Sequence, residues 1–133
     1  MFFNLSKRMT AIITIGIAAM LGAWLRWGLG ILFNPIFPTI PLGTLAANLL
    51  GGFLMGLFMA LTKDHLFLSA TQRLGVATGF LGSLTTFSTF SAETVTLLSH
   101  HEYLFSSIII VGHLFGTILA TFAGIFTVKL FTN

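Results

Sequence analysis

Four apolar runs take up most of this chain, each parted from the next by a short polar or proline-marked interruption. They cover about residues 9–32, 42–61, 74–98 and 104–131. A helix needs roughly 20 consecutive apolar residues to cross the hydrocarbon core of a bilayer, so each run predicts one membrane-spanning helix. Lys7 and Arg8 ahead of the first run give it the look of a signal peptide. It is longer than an ordinary signal core, and cleavage near Ala19 or Ala23 would leave three crossings, so it reads as a retained helix. Asn34-Pro35 and Pro38 to Pro41 mark the first loop, because proline supplies no donor and disfavours helix at the residue before it. Lys63, Asp64, His65 and Arg73 mark the second, and Ser99 to Tyr103 a tight turn before the last run. Residues 1–133 form one four-helix membrane domain, with no linker or repeat.

Composition agrees with the pattern. Hydrophobic residues make up 56% of the chain and charged residues 7%, against about 25% charged in a soluble domain. Mean hydropathy is +1.01. The expected class is an all-α integral membrane protein embedded in a lipid bilayer. Six scattered Lys and Arg residues make no nucleic-acid surface. The absence of cysteine removes disulfides and thiolate metal sites. No nucleophile–base pair, phosphate loop or dinucleotide fingerprint appears, so the chain does not read as an enzyme.

The third run is the anomalous one. Gly79-Phe80-Leu81-Gly82-Ser83-Leu84-Thr85-Thr86-Phe87-Ser88-Thr89-Phe90-Ser91 combines glycines with hydroxyl and β-branched residues, all of which weaken a helix. Unpaired backbone groups in hydrocarbon cost several kcal/mol each, so a break persists only where protein, water or an ion satisfies them. The sequence predicts a broken helix, with the break at Gly82 to Thr86. Phe87 and Phe90 follow at i and i+3, beside hydroxyls on Ser88, Thr89 and Ser91. A break lined with rings and hydroxyls suits an ion pathway.

Other polar residues inside the runs each carry two readings. Arg26, between Trp24 and Trp27, is either an interfacial anchor or the positive lining of a pore mouth. Thr44 and Asn48 share a helix face. The Asn48 amide is either interhelical glue or a donor aimed at an anion. Phe87 and Phe90 are either packing residues or rings whose positive edges meet an anion. Glu93, an acid inside a crossing, is either functional or interfacial. His113, Thr117 and Thr121 form a polar stripe on the last run. No second intramembrane histidine joins His113 in a metal or haem site, and His100-His101-Glu102 lie too close on a turn to converge on one ion. Close packing is expected at Gly52-x-x-x-Gly56, Gly75-x-x-x-Gly79 and Gly112-x-x-x-Gly116.

Three segments in order, Gly22-Ala23-Trp24-Leu25-Arg26, Gly43-Thr44-Leu45-Ala46-Ala47-Asn48-Leu49-Leu50-Gly51 and Gly79 to Phe90, resemble the Fluc (CrcB-type) fluoride channels over nearly the whole chain. The resemblance implies an antiparallel, dual-topology dimer of four-helix subunits with two fluoride pores, exporting fluoride passively across the plasma (inner) membrane. It makes Phe87 and Phe90 the pore phenylalanines, Asn48 the pore amide and Arg26 the vestibule arginine. Ser88 and Thr89 flank the rings. Carbonyls of Gly82 and Thr85 become ligands of a structural Na⁺ between subunits. Thr44, Glu93, His113 and Thr117 complete the candidate pore lining, although Ile109, His113 and Thr117 stand where the family often has tyrosine or serine.

Placing the N-terminus in the cytoplasm puts Lys7, Arg8, Lys63, Arg73 and Lys129 inside and only Arg26 outside. Such a positive-inside bias suits a single orientation better than a dual one. Either assembly overrides it or the subunit pairs with an oppositely oriented relative; the homodimer is the expectation. Two other functions fit the residues less well. A small proton-coupled multidrug exporter would carry a carboxylate deep in its first helix, where this chain has none, and a non-transporting membrane scaffold leaves the threonine, serine and phenylalanine block unexplained.

Overall fold

The computed structural model describes residues 5–63 and 68–132. Asp64 and His65 of the second polar loop lie outside them. Helix α1 spans Leu5–Phe33 and passes into a short 3-10 turn, Asn34–Ile36. Helix α2 spans Leu42–Lys63. Its start is fixed from the loop before it, where Asn34 Oδ1 accepts the Gly43 N–H at 2.7 Å. That bond satisfies one of the amides that every helix start leaves without an internal acceptor.

The third run is a chain of short elements. Helix α3, Ala70–Leu74, opens with a capping box: Ser69 Oγ accepts the Gln72 N–H at 3.2 Å and Gln72 Oε1 accepts the Ser69 N–H at 2.8 Å. A π-helical segment follows over Gly75–Leu81, then helix α4, Gly82–Leu84, and helix α5, Phe87–Ser99. Helix α6, Tyr103–Thr132, completes the fold after a tight turn in which His101 takes a positive φ of 61°. Among the described residues every regular element is helical. By length and composition α1 with its 3-10 turn, α2 and α6 could each cross a membrane.

The third run differs from its sequence reading in two ways. The helix ends at Leu84, so Gly82 and Ser83 are helical, and the non-helical link is Thr85 and Thr86 alone, both extended (φ −84°, ψ 155° and φ −151°, ψ 119°). The wide π turns ahead of it, where Gly82 N–H reaches back to Ala77 O, leave no periodicity in the sequence. Glycine acts here through close packing. A Cβ on Gly79 would lie 2.8 Å from both Ala18 Cβ and Ile15 O, and one on Gly22 would strike Phe80 O and Ser83 Oγ.

Two helix pairs make the most extensive contacts. The π segment lies against α1, and α2 lies along α6. On the second pair a Cβ at Gly52 would sit 2.8 Å from Thr117 O, and one at Gly56 would overlap Thr121 O. Gly112 is less tightly held, with only Leu45 side-chain atoms at 3.7 Å and beyond. The buried core is small: Ala47, Leu81 and Leu84, flanked by Leu29, Leu50, Leu54 and Phe58. Large apolar residues on α1 and α6, among them Ile12, Ile17, Leu119, Phe122 and Phe126, face outward instead, as hydrocarbon solvation permits.

Candidate functional site

The site is built around the two-residue link between α4 and α5. An α-helix continued through it would have joined Thr86 N–H to Gly82 O. That amide instead donates to Asn48 Oδ1 at 2.7 Å, and Asn48 Nδ2 returns a bond to Thr86 O at 3.0 Å. Thr86 then caps α5, its Oγ1 accepting the Thr89 N–H at 3.1 Å. One side chain on α2 thus satisfies both backbone groups of Thr86.

Thr86 lies between two cavities and lines both. The inner one, about 360 Å³, is bordered by Asn48, Gly51, Thr85, Phe87, Phe90, His113, Thr117 and Thr121. The outer one, about 530 Å³, is bordered by Arg26, Trp27, Asn34, Thr44, Thr89 and Glu93. The candidate residues therefore divide between two chambers that meet at the link.

In the inner cavity the rings form a ladder. Phe87 meets Phe90 edge-to-face, with centroids 5.5 Å apart and an interplanar angle of 70°, and Phe90 stacks on the His113 imidazole at 4.5 Å and 27°. Phe87 is 79% exposed and His113 is buried, so the ladder runs from an open rim inward. Asn48 Nδ2 lies 2.9 Å from His113 Nδ1, which gives the amide a second acceptor. Both amide hydrogens are thereby committed to protein atoms. Thr117 Oγ1 donates to His113 O at 2.5 Å, the back-bonding expected of threonine in a helix.

In the outer cavity Thr44 Oγ1 donates to Glu93 Oε1 at 2.5 Å. The second carboxylate oxygen, Oε2, is buried with no partner among the described residues. Arg26 Nε donates to Ser83 O at 3.0 Å, which ties α1 to the last turn before the link. Ser88 borders neither cavity; its hydroxyl lies 3.2 Å from Thr86 Oγ1 on an exposed face. The turn histidines diverge, His100 Nδ1 facing Thr96 O at 2.8 Å and His101 Nδ1 facing the Tyr103 hydroxyl at 2.9 Å.

The carbonyls of Gly82 and Thr85 are among those that lose their helical donors at the link. The amide that would have reached Gly82 O goes to Asn48, and the Thr89 amide that would have reached Thr85 O goes to Thr86 Oγ1. Gly82 is exposed and Thr85 half-buried. Hard oxygen donors of this kind suit an alkali cation better than a transition metal. Thr86 itself is absent from the sequence-derived pore lining, and so is Thr121. Only the fold reveals that Thr86 borders both cavities, although its place beside the weakest helical stretch was a usable signal.

The family model described as "CrcB-like protein, Camphor Resistance (CrcB)" matches residues 13–125. The chain belongs to the CrcB family. The matched stretch includes every CrcB residue that lines either cavity here. A "Fluoride-specific ion channel FluC" from Nitrosospira multiformis is 56% identical over 119 residues, covering 90% of this chain and 93% of that relative. A protein of the same description from Thiobacillus denitrificans is 50% identical over 121 residues, covering 91% and 98%. One from Pseudomonas putida is 49% identical over 117 residues, covering 88% and 92%. As a CrcB-family chain with three helices of bilayer length, the molecule is a multi-pass membrane protein.

Proposed function

We propose that this chain is a fluoride-selective passive channel that carries fluoride out across the plasma membrane, confers fluoride resistance and catalyses no reaction. The observation that carries the reading is the pair of cavities meeting at Thr86, with a phenylalanine edge, hydroxyls and a helix start gathered at the junction. Fluoride is small and strongly hydrated, so a path for it must replace water with donors that do not hold it too long. Ring edges offer positive potential without formal charge, and the N-terminal amides of α5 add to it. Arg26 at the outer cavity raises the local anion concentration by field focusing. The membrane potential supplies about 2.3 kcal/mol per elementary charge per 100 mV, enough to drive export without coupling.

The functional unit in this reading is an antiparallel dimer with a second copy of the chain, each subunit crossing the bilayer four times with its third crossing broken at the link. The open rim at Phe87 and the Gly82 and Thr85 carbonyls, whose helical donors are bound elsewhere, support an assembly that covers that face. Gly82 O and Thr85 O would hold a structural Na⁺ there, which supplies positive charge to carbonyls that the link deprives of donors. Asn48 positions Thr86, Phe87 and Phe90 give the anion ring edges, and Thr89 and Thr44 line the outer approach beside Glu93.

Liposomes loaded with fluoride and fitted with a potassium shunt test the reading through an ion-selective electrode. Electrogenic fluoride efflux with chloride largely retained is the expected result. Efflux no faster than from empty vesicles would overturn it.

A further inference from the structure

Around the inner cavity, every side-chain hydrogen available to a small anion can be followed to its acceptor. A hydroxyl has one such hydrogen and a carboxamide two. Thr85 Oγ1 donates to Leu81 O and Thr86 Oγ1 to Thr89 Oγ1, both at 3.0 Å. Thr117 Oγ1 donates to His113 O, and Thr121 Oγ1 to Thr117 O at 2.9 Å. The two Asn48 hydrogens go to Thr86 O and His113 Nδ1. The polar side chains of this cavity therefore offer one uncommitted nitrogen, His113 Nε2, which is buried with no partner among the described residues.

The protonation of that nitrogen follows from the link. A backbone N–H can only donate and a carbonyl can only accept, so Thr86 fixes which end of the Asn48 amide is oxygen and which is nitrogen. The atom 2.9 Å from His113 Nδ1 is therefore Nδ2, a donor with no lone pair to give. Nδ1 must accept, which places the proton of the neutral ring on Nε2. Phe90, stacked 4.5 Å from the imidazole, holds the ring plane while this is so.

We propose that the Asn48–Thr86 pair locks His113 in its Nε2–H tautomer and that this N–H is the side-chain donor meeting the anion in the inner cavity. Asn48 is then a positioning residue acting through His113, and His113 the specificity residue. The anion's identity rests on the fluoride reading; the tautomer does not.

Solid-state NMR on the full chain in lipid bilayers, labelled with ¹⁵N-histidine at neutral pH without fluoride, decides the tautomer. The chain has 4 histidines, and loss of one signal in His113→Gln assigns the resonance. The expected spectrum has a bare Nδ1 and a protonated Nε2. Sodium fluoride, and not sodium chloride, should then move the Nε2–H resonance and couple it to ¹⁹F. Asn48→Asp places an acceptor opposite Nδ1 and should move the proton there, with fluoride efflux falling at least tenfold. A protonated Nδ1 in the unaltered chain overturns the lock. An Nε2–H indifferent to fluoride in a conducting protein overturns the donor role. A protein with no fluoride flux overturns the donor role together with the channel reading, while the spectrum still decides the lock.

Discussion

Asn48 holds Thr86 by both backbone groups, accepting its N–H at 2.7 Å and donating to its carbonyl at 3.0 Å. The amide replaces, from a neighbouring helix, the bonds that the interrupted third run cannot make for itself. Asn48→Leu keeps the volume and removes both bonds. A buried polar group left unpaired costs about 1–3 kcal/mol, so the variant should lose at least that much stability in thermal unfolding in detergent. Asn48→Leu with an unchanged melting temperature would show that the link does not depend on α2.

Phe87 is exposed in the subunit and Phe90 is stacked on His113. Phe87→Ile should therefore leave subunit unfolding nearly unchanged and reduce fluoride efflux tenfold or more. Phe90→Ile should reduce efflux similarly and also release the imidazole plane. Wild-type efflux from both variants would remove the rings from the pathway.

Thr44 and Glu93 are joined by a hydroxyl-to-carboxyl bond, and such a hydrogen bond contributes about 0.5–1.5 kcal/mol. Thr44→Ser should keep both stability and efflux near wild type. Thr44→Val should lower both, because Glu93 Oε1 then joins Oε2 in having no donor. Equal behaviour of the serine and valine variants, measured by unfolding and efflux together, would contradict this pairing.

Gly56 and Gly28 make a matched pair of probes. A Cβ at Gly56 would overlap the Thr121 carbonyl, whereas nothing lies within 4 Å at Gly28. Gly56→Ala should separate α2 from α6 and destabilise by about 1–3 kcal/mol, the usual range for overpacking. Gly28→Ala should be neutral or stabilising by up to about 1 kcal/mol through helix propensity. Melting temperatures in the same detergent compare them directly.

Much of this was legible from residue order, because apolar runs and small-residue spacings report directly on solvent and packing. Helices α1, α2 and α6 lie where their runs predicted, extending a few residues further at most ends. The close approaches at Gly52, Gly56 and Gly79 follow their motifs. The link is narrower than the predicted span of Gly82 to Thr86 and occupies only its last two residues. Gly82 stays helical, and the chain opens at Thr85 and Thr86, where a tertiary partner, Asn48, outcompetes the helix for the amide. No local pattern announces such a competitor. The π turns over Gly75–Leu81, which pack against α1, likewise follow no pattern in residue order. Arg26 borders the outer cavity, and its Nε is bound to Ser83 O, a contact 57 residues away in sequence that residue order does not announce.

That last contact has an electrical consequence. Interrupting a helix exposes two opposed poles, about half a negative charge where one segment ends and half a positive charge where the next begins. The ending pole is covered only in part, since the Arg26 guanidinium bonds Ser83 O at 3.0 Å while Gly82 O has lost its helical donor to Asn48. The beginning pole has no such charge against it, because the first turn of α5 carries no acidic residue. The interruption is thus an unbalanced dipole with one terminal partly neutralised by the chain's own cation. Arg26 tips its balance towards positive, and no acidic residue in the first turn of α5 offsets the pole that begins there.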